Sequence, residues 1–291
     1  MSLVTAWTDD RAPRATQTVL TEALALRYGE TFAVDPSTQG LDRLAAMAAR
    51  GSHRKFADRP VDAELLRLLC AVAFAAPTKS DLQQRDVVIV REPELRRALD
   101  GLVAGQGWVA RAPVLLVFCG NNRRQRQVHA MRGLPFANDH LDAFFNAAVD
   151  AGIALAAFVT AAEAVGLGAC PISAIRNEAA EVARLLELPR HVFPVAGLGV
   201  GWPAGEATVA MRLPTAVTVH EDRFDEAGTE AAIAAYDARR EAAQPYTTHR
   251  LAERYPDRAG YSWSEDKARQ YSVPERAGFG AFVRAHGFDL T

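Results

Sequence analysis

Apolar residues recur at helical spacing over residues 15–28, 40–49, 62–75, 93–101, 137–166, 176–186, 228–242 and 274–286, and the pattern predicts a helix over each stretch. Short β-branched runs bounded by turn residues predict strands at Asp86–Arg91 (DVVIVR), Pro113–Cys119 (PVLLVFC), Gly168–Ile172 and Phe193–Gly199. Helices intervene between most of these strands. The expected architecture is therefore α+β, with one mixed central sheet flanked by helices.

From Leu141 to Gly168 the chain reads LDAFFNAAVDAGIALAAFVTAAEAVGLG, long and apolar enough to suggest a membrane span. Asp142, Asn146, Asp150, Thr160 and Glu163 interrupt it, and carboxylates are costly in mid-bilayer. A helix buried in a soluble protein can hydrogen-bond them instead. Small residues at Ala147, Ala151, Ala154 and Ala157 permit close helix approach. The stretch is read as a central buried helix shared between two subunits.

Both ends of the chain differ from its middle. The first forty residues hold one helical stretch, TVLTEALALRYG, then a polar linker, DPSTQG, and are read as an N-terminal extension with no derivable role. After Gln244 the chain is rich in Tyr, Arg, Asp and Pro, so residues 244–272 are expected to form an irregular arm or lid on a single domain of residues 41–291.

Composition narrows the function without choosing it. Thirty-three basic against 35 acidic residues leave a net charge of −2, which provides no overall attraction for nucleic acid or an anionic membrane. Cys70, Cys119 and Cys170 are odd in number and embedded in apolar runs, which fits a reducing compartment better than a disulfide framework. The opening MSLVTAWTDDRAPRA has no apolar core of signal-peptide length, so a cytoplasmic protein is expected. Seven histidines lie scattered without ligand spacing, and no metal site is expected.

The chemistry begins at Arg50-Gly51-Ser52-His53-Arg54-Lys55-Phe56. In an extended segment alternate residues share a face, so Arg50, Ser52 and Arg54 form an anion-binding set while Phe56 anchors the strip. A solvated basic stretch at a helix end gives the same heptapeptide. Further segments weigh against that reading together. Ala76–Gln83 is a polar loop between helix and strand, Gly168–Asn177 runs from strand to helix, and Gly197–Pro203 closes a strand ahead of Arg212-Leu213-Pro214. The glycine run lacks dinucleotide-fingerprint spacing and has no helix after it.

In this order the segments resemble the nitroreductase superfamily, nearest its NADPH-dependent oxygen-insensitive nitroreductase and flavin reductase branch. The motifs are R-x-S-x-R-x-F at Arg50–Phe56, SDLQ at Ser80–Gln83, GQGWVARA at Gly105–Ala112, PISAIRN at Pro171–Asn177, HVFPVAGLGVGWP at His191–Pro203 and RLP at Arg212–Pro214. The resemblance spans about residues 42–291. It implies a three-layer fold, an intertwined homodimer with FMN at the interface, and hydride transfer from NADPH or NADH to a small electrophilic acceptor by a ping-pong cycle.

By that resemblance Arg50, Ser52 and Arg212 hold the FMN phosphate, and Arg54 is the cation beside N1 and the C2 oxygen. Thr78, Ser80 and Gln83 meet the ribityl chain and ring, Gln106 meets the pyrimidine edge, and Pro171, Ile172, Ser173 and Ala174 back the ring. No side chain is expected to act as acid or base, because the flavin supplies the redox chemistry and Arg54 serves as an electrostatic stabiliser. Ser173 and Ala174 stand where the branch often has two glycines, Ala210 where it has a lysine, and Asp81 where it has an aromatic. Arg250, Arg254 and Arg258 are candidates for the 2′-phosphate of NADPH, beside the alternative of a solvated arm. Three other readings stay open: a supplier of reduced flavin, a non-catalytic flavin-binding or redox-sensing protein, and an unrelated anion-binding enzyme in which Arg50 and Arg54 hold a substrate phosphate.

Overall fold

The computed structural model describes residues 16–103, 105–256 and 260–291. The first fifteen residues of the extension, and Arg258 of the arm, lie outside the described residues. The chain divides into two compact units, residues 1–51 with 206–275, and residues 52–205 with 276–291.

The second unit holds the sheet. Its strands β1 (Arg85–Val90), β2 (Val114–Asn121), β3 (Gly168–Ile172) and β4 (Val192–Gly201) lie in the order β1-β2-β4-β3. All three pairings are antiparallel, where a mixed sheet was expected. Of the three connections in chain order only that from β2 to β3 links strands of one direction, and β1 likewise runs with β4. Each such pair is separated by a neighbour, because β2 lies between β1 and β4 and β4 lies between β2 and β3. The parallel partners therefore never exchange hydrogen bonds.

Alternation along β2 divides this unit into three layers. Val114, Leu116 and Phe118 face α3 (Ala63–Phe74) and α6 (Leu141–Ala164), together with Leu66, Leu69, Ala154 and Phe158. Leu115, Val117 and Cys119 face the opposite way, into a cluster with Leu99 of α4 (Pro93–Leu102) and Val182 of α7 (Ala179–Leu185). Both faces of β2 are buried, which is why it is apolar from Val114 to Gly120. Phe144 and Ala147 of α6 also meet Phe193, Val283 of α10 (Phe279–Ala285) and Phe288.

The apolar segment at 141–164 is one helix, with Ala147, Asp150, Ala151, Ala154, Phe158 and Ala162 on its buried side. Its length and composition alone would suit a membrane span. A fully buried carboxylate at Asp150 marks that side as protein interior. Leu141, Phe145 and Val149 remain exposed on the single chain.

In the first unit α1 (Thr16–Tyr28) and α2 (Leu41–Ala49) pack through Val19, Leu20, Ala23, Ala45, Ala48 and Ala49. α8 (Thr229–Ala243) and α9 (Trp263–Tyr271) complete its helices, while α5 (Arg123–Arg132) belongs to the second unit. Neither α5 nor α9 was expected.

Candidate functional site

The strip after α2 is extended and joined to the sheet. The amide of His53 donates to the Ala169 carbonyl at 3.1 Å, Ala204 N–H donates to Lys55 O at 3.1 Å, and Ala57 N–H donates to Trp202 O at 2.8 Å. Phe56 bridges Pro203. These bonds fix the strip beside the start of β3 and the end of β4. Gly168 admits the arrangement, since a Cβ there would lie 2.6 Å from His53 Cγ. Arg54 is exposed, makes no ion pair among the described residues, and has its guanidinium 6.0 Å from the Trp108 ring centroid. Ser52 is half-buried in the same strip.

The loop after α3 is held more tightly than its composition suggests. Asp150, fully buried on α6, accepts from the Thr78 hydroxyl, from Lys79 N–H at 3.0 Å and from Gln84 N–H at 3.0 Å. Thr78 Oγ1 in turn accepts from Gln83 N–H at 2.9 Å. Arg85 donates to the carbonyls of Phe74 at 2.8 Å, Ala76 at 2.7 Å and Pro77 at 2.7 Å. Gln125 of α5 takes Leu82 O at 2.6 Å, and Arg124 takes Gln83 O. Within this frame Ser80, Asp81 and Gln83 adopt φ of 49, 56 and 51°, the left-handed region that costs a non-glycine residue energy. Their side chains are exposed. Thr78 thus spends its hydroxyl proton on the protein and organises the loop, while Ser80 stays available to a ligand and Gln83, whose side-chain amide donates to Asp81 Oδ1 at 3.0 Å, keeps its side-chain oxygen exposed.

β3 ends at the next candidate segment. Pro171 and Ser173 are exposed, Ile172 is buried and Ala174 half-buried. A single 3-10 turn over Ser173–Arg176 follows, so the helix expected over 176–186 begins only at Ala179, and Arg176 ties the turn to the Val195 carbonyl. Gln106 sits in a turn, with its amide donating to Val103 O at 2.8 Å and its carbonyl accepting from Val109 N–H at 2.9 Å. Of the twelve candidate residues, Ser52, Arg54, Thr78, Ser80, Gln83, Gln106 and Pro171–Ala174 all lie in the second unit.

Arg50 and Arg212 lie in the first unit, and Arg27 on α1 joins the backbone around them. Its guanidinium donates to Ala48 O at 2.6 Å, to Ala210 O at 2.9 Å and to Arg50 O. Its own carbonyl accepts from Arg212 N–H at 2.7 Å and from Arg239 Nη2 at 3.1 Å. At Gly51 a Cβ would lie 2.5 Å from Thr208 O, so the two segments run backbone against backbone. Reading residue types for ligand chemistry misses both Arg27 and Asp150, because neither carries a motif and each acts on backbone.

The remaining candidates carry less chemistry. All three cysteines are free thiols, and burial, then the Asp86 charge, pushes Cys119 up to about 12, which makes it inert packing. A cavity of about 280 Å³ between Val61, Leu66, Ile89, Arg96 and Pro113 contains none of the candidate residues. Among the described residues no cluster of His, Cys, Asp or Glu could hold a metal ion. In the arm, Arg250 Nε meets Asp266 at 3.2 Å and Arg254 lies over the Tyr255 ring. Burial opposes ionisation of Asp266, but Lys267, Tyr261 and Arg250 outweigh it and hold the carboxyl below its usual range.

The family models for the Nitroreductase family and for its C-terminal domain match residues 47–202 and 211–291. The chain belongs to the nitroreductase family. It is an oxidoreductase with the nitroreductase-like α+β fold. An FMN reductase [NAD(P)H] of Bacillus subtilis is 36% identical over 175 residues, which are 60% of this chain and 70% of that protein. An oxygen-insensitive NADPH nitroreductase of Salmonella typhimurium is 36% identical over 186 residues, 64% of this chain and 75% of that one. Among solved structures, Bacillus megaterium NfrA2 superposes with a TM-score of 0.77 at 29% identity, over 86% of this chain and 98% of its own. The NADPH:FMN oxidoreductase of Vibrio harveyi, complexed with NAD+, gives a TM-score of 0.73 at 27% identity, over 84% and 97%.

Proposed function

We propose that this nitroreductase-family protein is an FMN-dependent oxidoreductase that takes hydride from NADPH or NADH and passes it to a small electrophilic acceptor, a nitroaromatic or quinone. One observation carries the reading: the strip at 52–57, hydrogen-bonded to β3 at Ala169 and to Trp202 and Ala204 just past β4, sets the unpaired Arg54 beside the strand that ends at Ile172. The donor set fits FMN. Arg50, Arg212 and Ser52 suit a phosphate, Ser80 and Gln83 suit hydroxyls and ring heteroatoms, and Pro171–Ala174 offers an exposed proline and small side chains to a flat face.

The bound flavin supplies the redox chemistry. Arg54 would hold fixed positive charge for a bound flavin, stabilising the anionic reduced form, and the preset loop at 78–84 would make its contacts without reorganising. Ile172 keeps the strand end anchored in the core. NADPH and the acceptor would share one site in turn, and Arg254 of the 244–272 segment has the chemistry to take a 2′-phosphate. The relatives named as FMN reductases favour a second reading, in which flavin itself is the acceptor and leaves.

The working form we propose is a cytoplasmic homodimer. Leu68 and Val72 of α3 and Phe145 of α6 are more than half exposed on the single chain, and such apolar faces favour a partner copy. The three free thiols suit a reducing compartment. The deciding experiment is an anaerobic absorption spectrum of the purified protein with NADPH, then NADH. Flavin bands that bleach are expected; a colourless protein that takes up no added FMN refutes the proposal. Retention of FMN through turnover separates the small-acceptor reading from flavin supply.

A further inference from the structure

We propose that Arg27, on the N-terminal helix ahead of both family-matched regions, is a positioning residue for the phosphate of a bound flavin mononucleotide. The inference rests on the assignment of Arg50 and Arg212 to that phosphate. Arg27 retains only 6% of its surface yet lies at the end of α1, whose packing on α2 is otherwise made by apolar residues such as Leu20, Ala23 and Ala45. A guanidinium so buried must spend its donors on the protein. It spends them on the carbonyls of Ala48 and Arg50 on one segment and of Ala210 on another. Its carbonyl holds Arg212 N–H at 2.7 Å, so one residue grips the backbone of both phosphate arginines.

Arg239 reinforces the same point, donating to Leu26 O at 3.0 Å, Arg27 O at 3.1 Å and Arg212 O at 3.1 Å. The close approach of Gly51 to Thr208 O, with only the Ala207 methyl beside it, leaves the two segments no long side chain between them to set their spacing. That spacing then depends on the planar fork of Arg27. Bidentate recognition of a phosphate by two arginines is sensitive to their relative placement, so a loosened hub weakens phosphate binding and leaves contacts to the ring as they were.

The test compares FMN with riboflavin, which lacks the phosphate, by flavin fluorescence quenching on the full-length wild type and on Arg27→Met, Arg27→Lys and Leu20→Ala. For Arg27→Met, FMN affinity is expected to fall about tenfold or more while riboflavin affinity stays within about twofold. Arg27→Lys, which keeps the charge without the fork, is expected to lose at least about threefold of that selectivity, and it carries the test if Arg27→Met does not fold. Leu20→Ala loosens α1 on α2 without touching the hub and is expected to keep the wild-type ratio.

Equal losses for both flavins, a wild-type ratio in the Arg27 variants, or a ratio in Leu20→Ala shifted as far as in Arg27→Met each overturn the inference. A wild type that binds FMN no better than riboflavin instead overturns the phosphate assignment beneath it.

Discussion

Asp150→Asn tests whether the loop at 78–84 is held in a costly shape by one buried carboxylate. The wild-type carboxylate receives the Thr78 hydroxyl and Gln84 N–H on one oxygen and Lys79 N–H on the other. Asparagine has one acceptor oxygen, and its NH2 must face a backbone N–H whichever way the amide turns. Facing Lys79 it orphans that amide. Facing the other side, it can still donate to Thr78 Oγ1 but orphans Gln84. An unsatisfied buried donor costs about 1–3 kcal/mol, and a lost charge-assisted bond adds to that, so a loss of about 2–4 kcal/mol is expected.

Strain relief acts in the opposite direction. Ser80, Asp81 and Gln83 sit at φ near 50°, at about 1–2 kcal/mol each, and a freed loop recovers part of that. The change in melting temperature is thus the smaller signal, on the order of 5 °C downward for a chain of this size. Local opening gives the larger one. Hydrogen exchange of the Lys79 and Gln84 amides is expected to accelerate by about tenfold to a thousandfold, while the β2 amides move only as far as global stability does. FMN affinity should fall with it, because the loop no longer presents Ser80 and Gln83 in place. Wild-type protection at both amides in Asp150→Asn would refute the clamp.

Three further outcomes follow from the same geometry. Gly168→Ala drives a methyl to 2.6 Å from His53 Cγ, which must displace the strip from β3; a cost of about 1–3 kcal/mol and weaker FMN binding are expected, and wild-type values for both would sink the proposed register. Arg54→Gln is expected to slow single-turnover bleaching by NADPH about tenfold to a hundredfold with FMN still bound, and an unchanged rate would remove Arg54 from the chemistry. His191 and His286 are held below their usual 6.5, first by burial and then, for His191, by the Arg126 charge, with backbone acceptors opposing. The unfolded chain takes up protons there that the folded chain refuses, so their stability is complete above about pH 6.5 and is lost as pH falls toward the folded values. Melting temperature should drop between about pH 7.5 and 5.5 less steeply in His286→Phe than in wild type; parallel slopes would show that these imidazoles carry no linkage.

The strands and apolar helices were legible because burial writes a period into sequence. β2 and α6 show this best, the first apolar from Val114 to Gly120 and the second betrayed as core by an aspartate in mid-helix. α5 left no such mark. Its sequence RRQRQVHAMR has no buried residue, and it is held by side chains such as Gln125 and Arg124 reaching the 78–84 loop. α9 did leave a signal, since Ser262 and Glu265 form an S-x-x-E start and Ser262 Oγ accepts from Glu265 N–H at 3.3 Å. The polar composition around it suggested an arm instead. Sheet direction was not written locally at all, because it depends on which strand lies between which.

The site was legible where residue type meets ligand and illegible where residue type meets backbone. Arginine shows why. Arg54 is exposed and unpaired among the described residues, and its motif announced it. Arg27 and Arg85 are equally cationic in sequence, yet each is buried and donates to three carbonyls, one behind the proposed phosphate segment and one behind the loop. A carbonyl is present at every residue, so no spacing in the chain can encode such a contact; only the fold brings three of them within reach of one fork. The cations that shape this site are therefore the ones a charge pattern hides. The same physics predicts which substitutions are tolerated, since lysine keeps the charge at Arg54 but cannot reproduce the fork at Arg27 or Arg85.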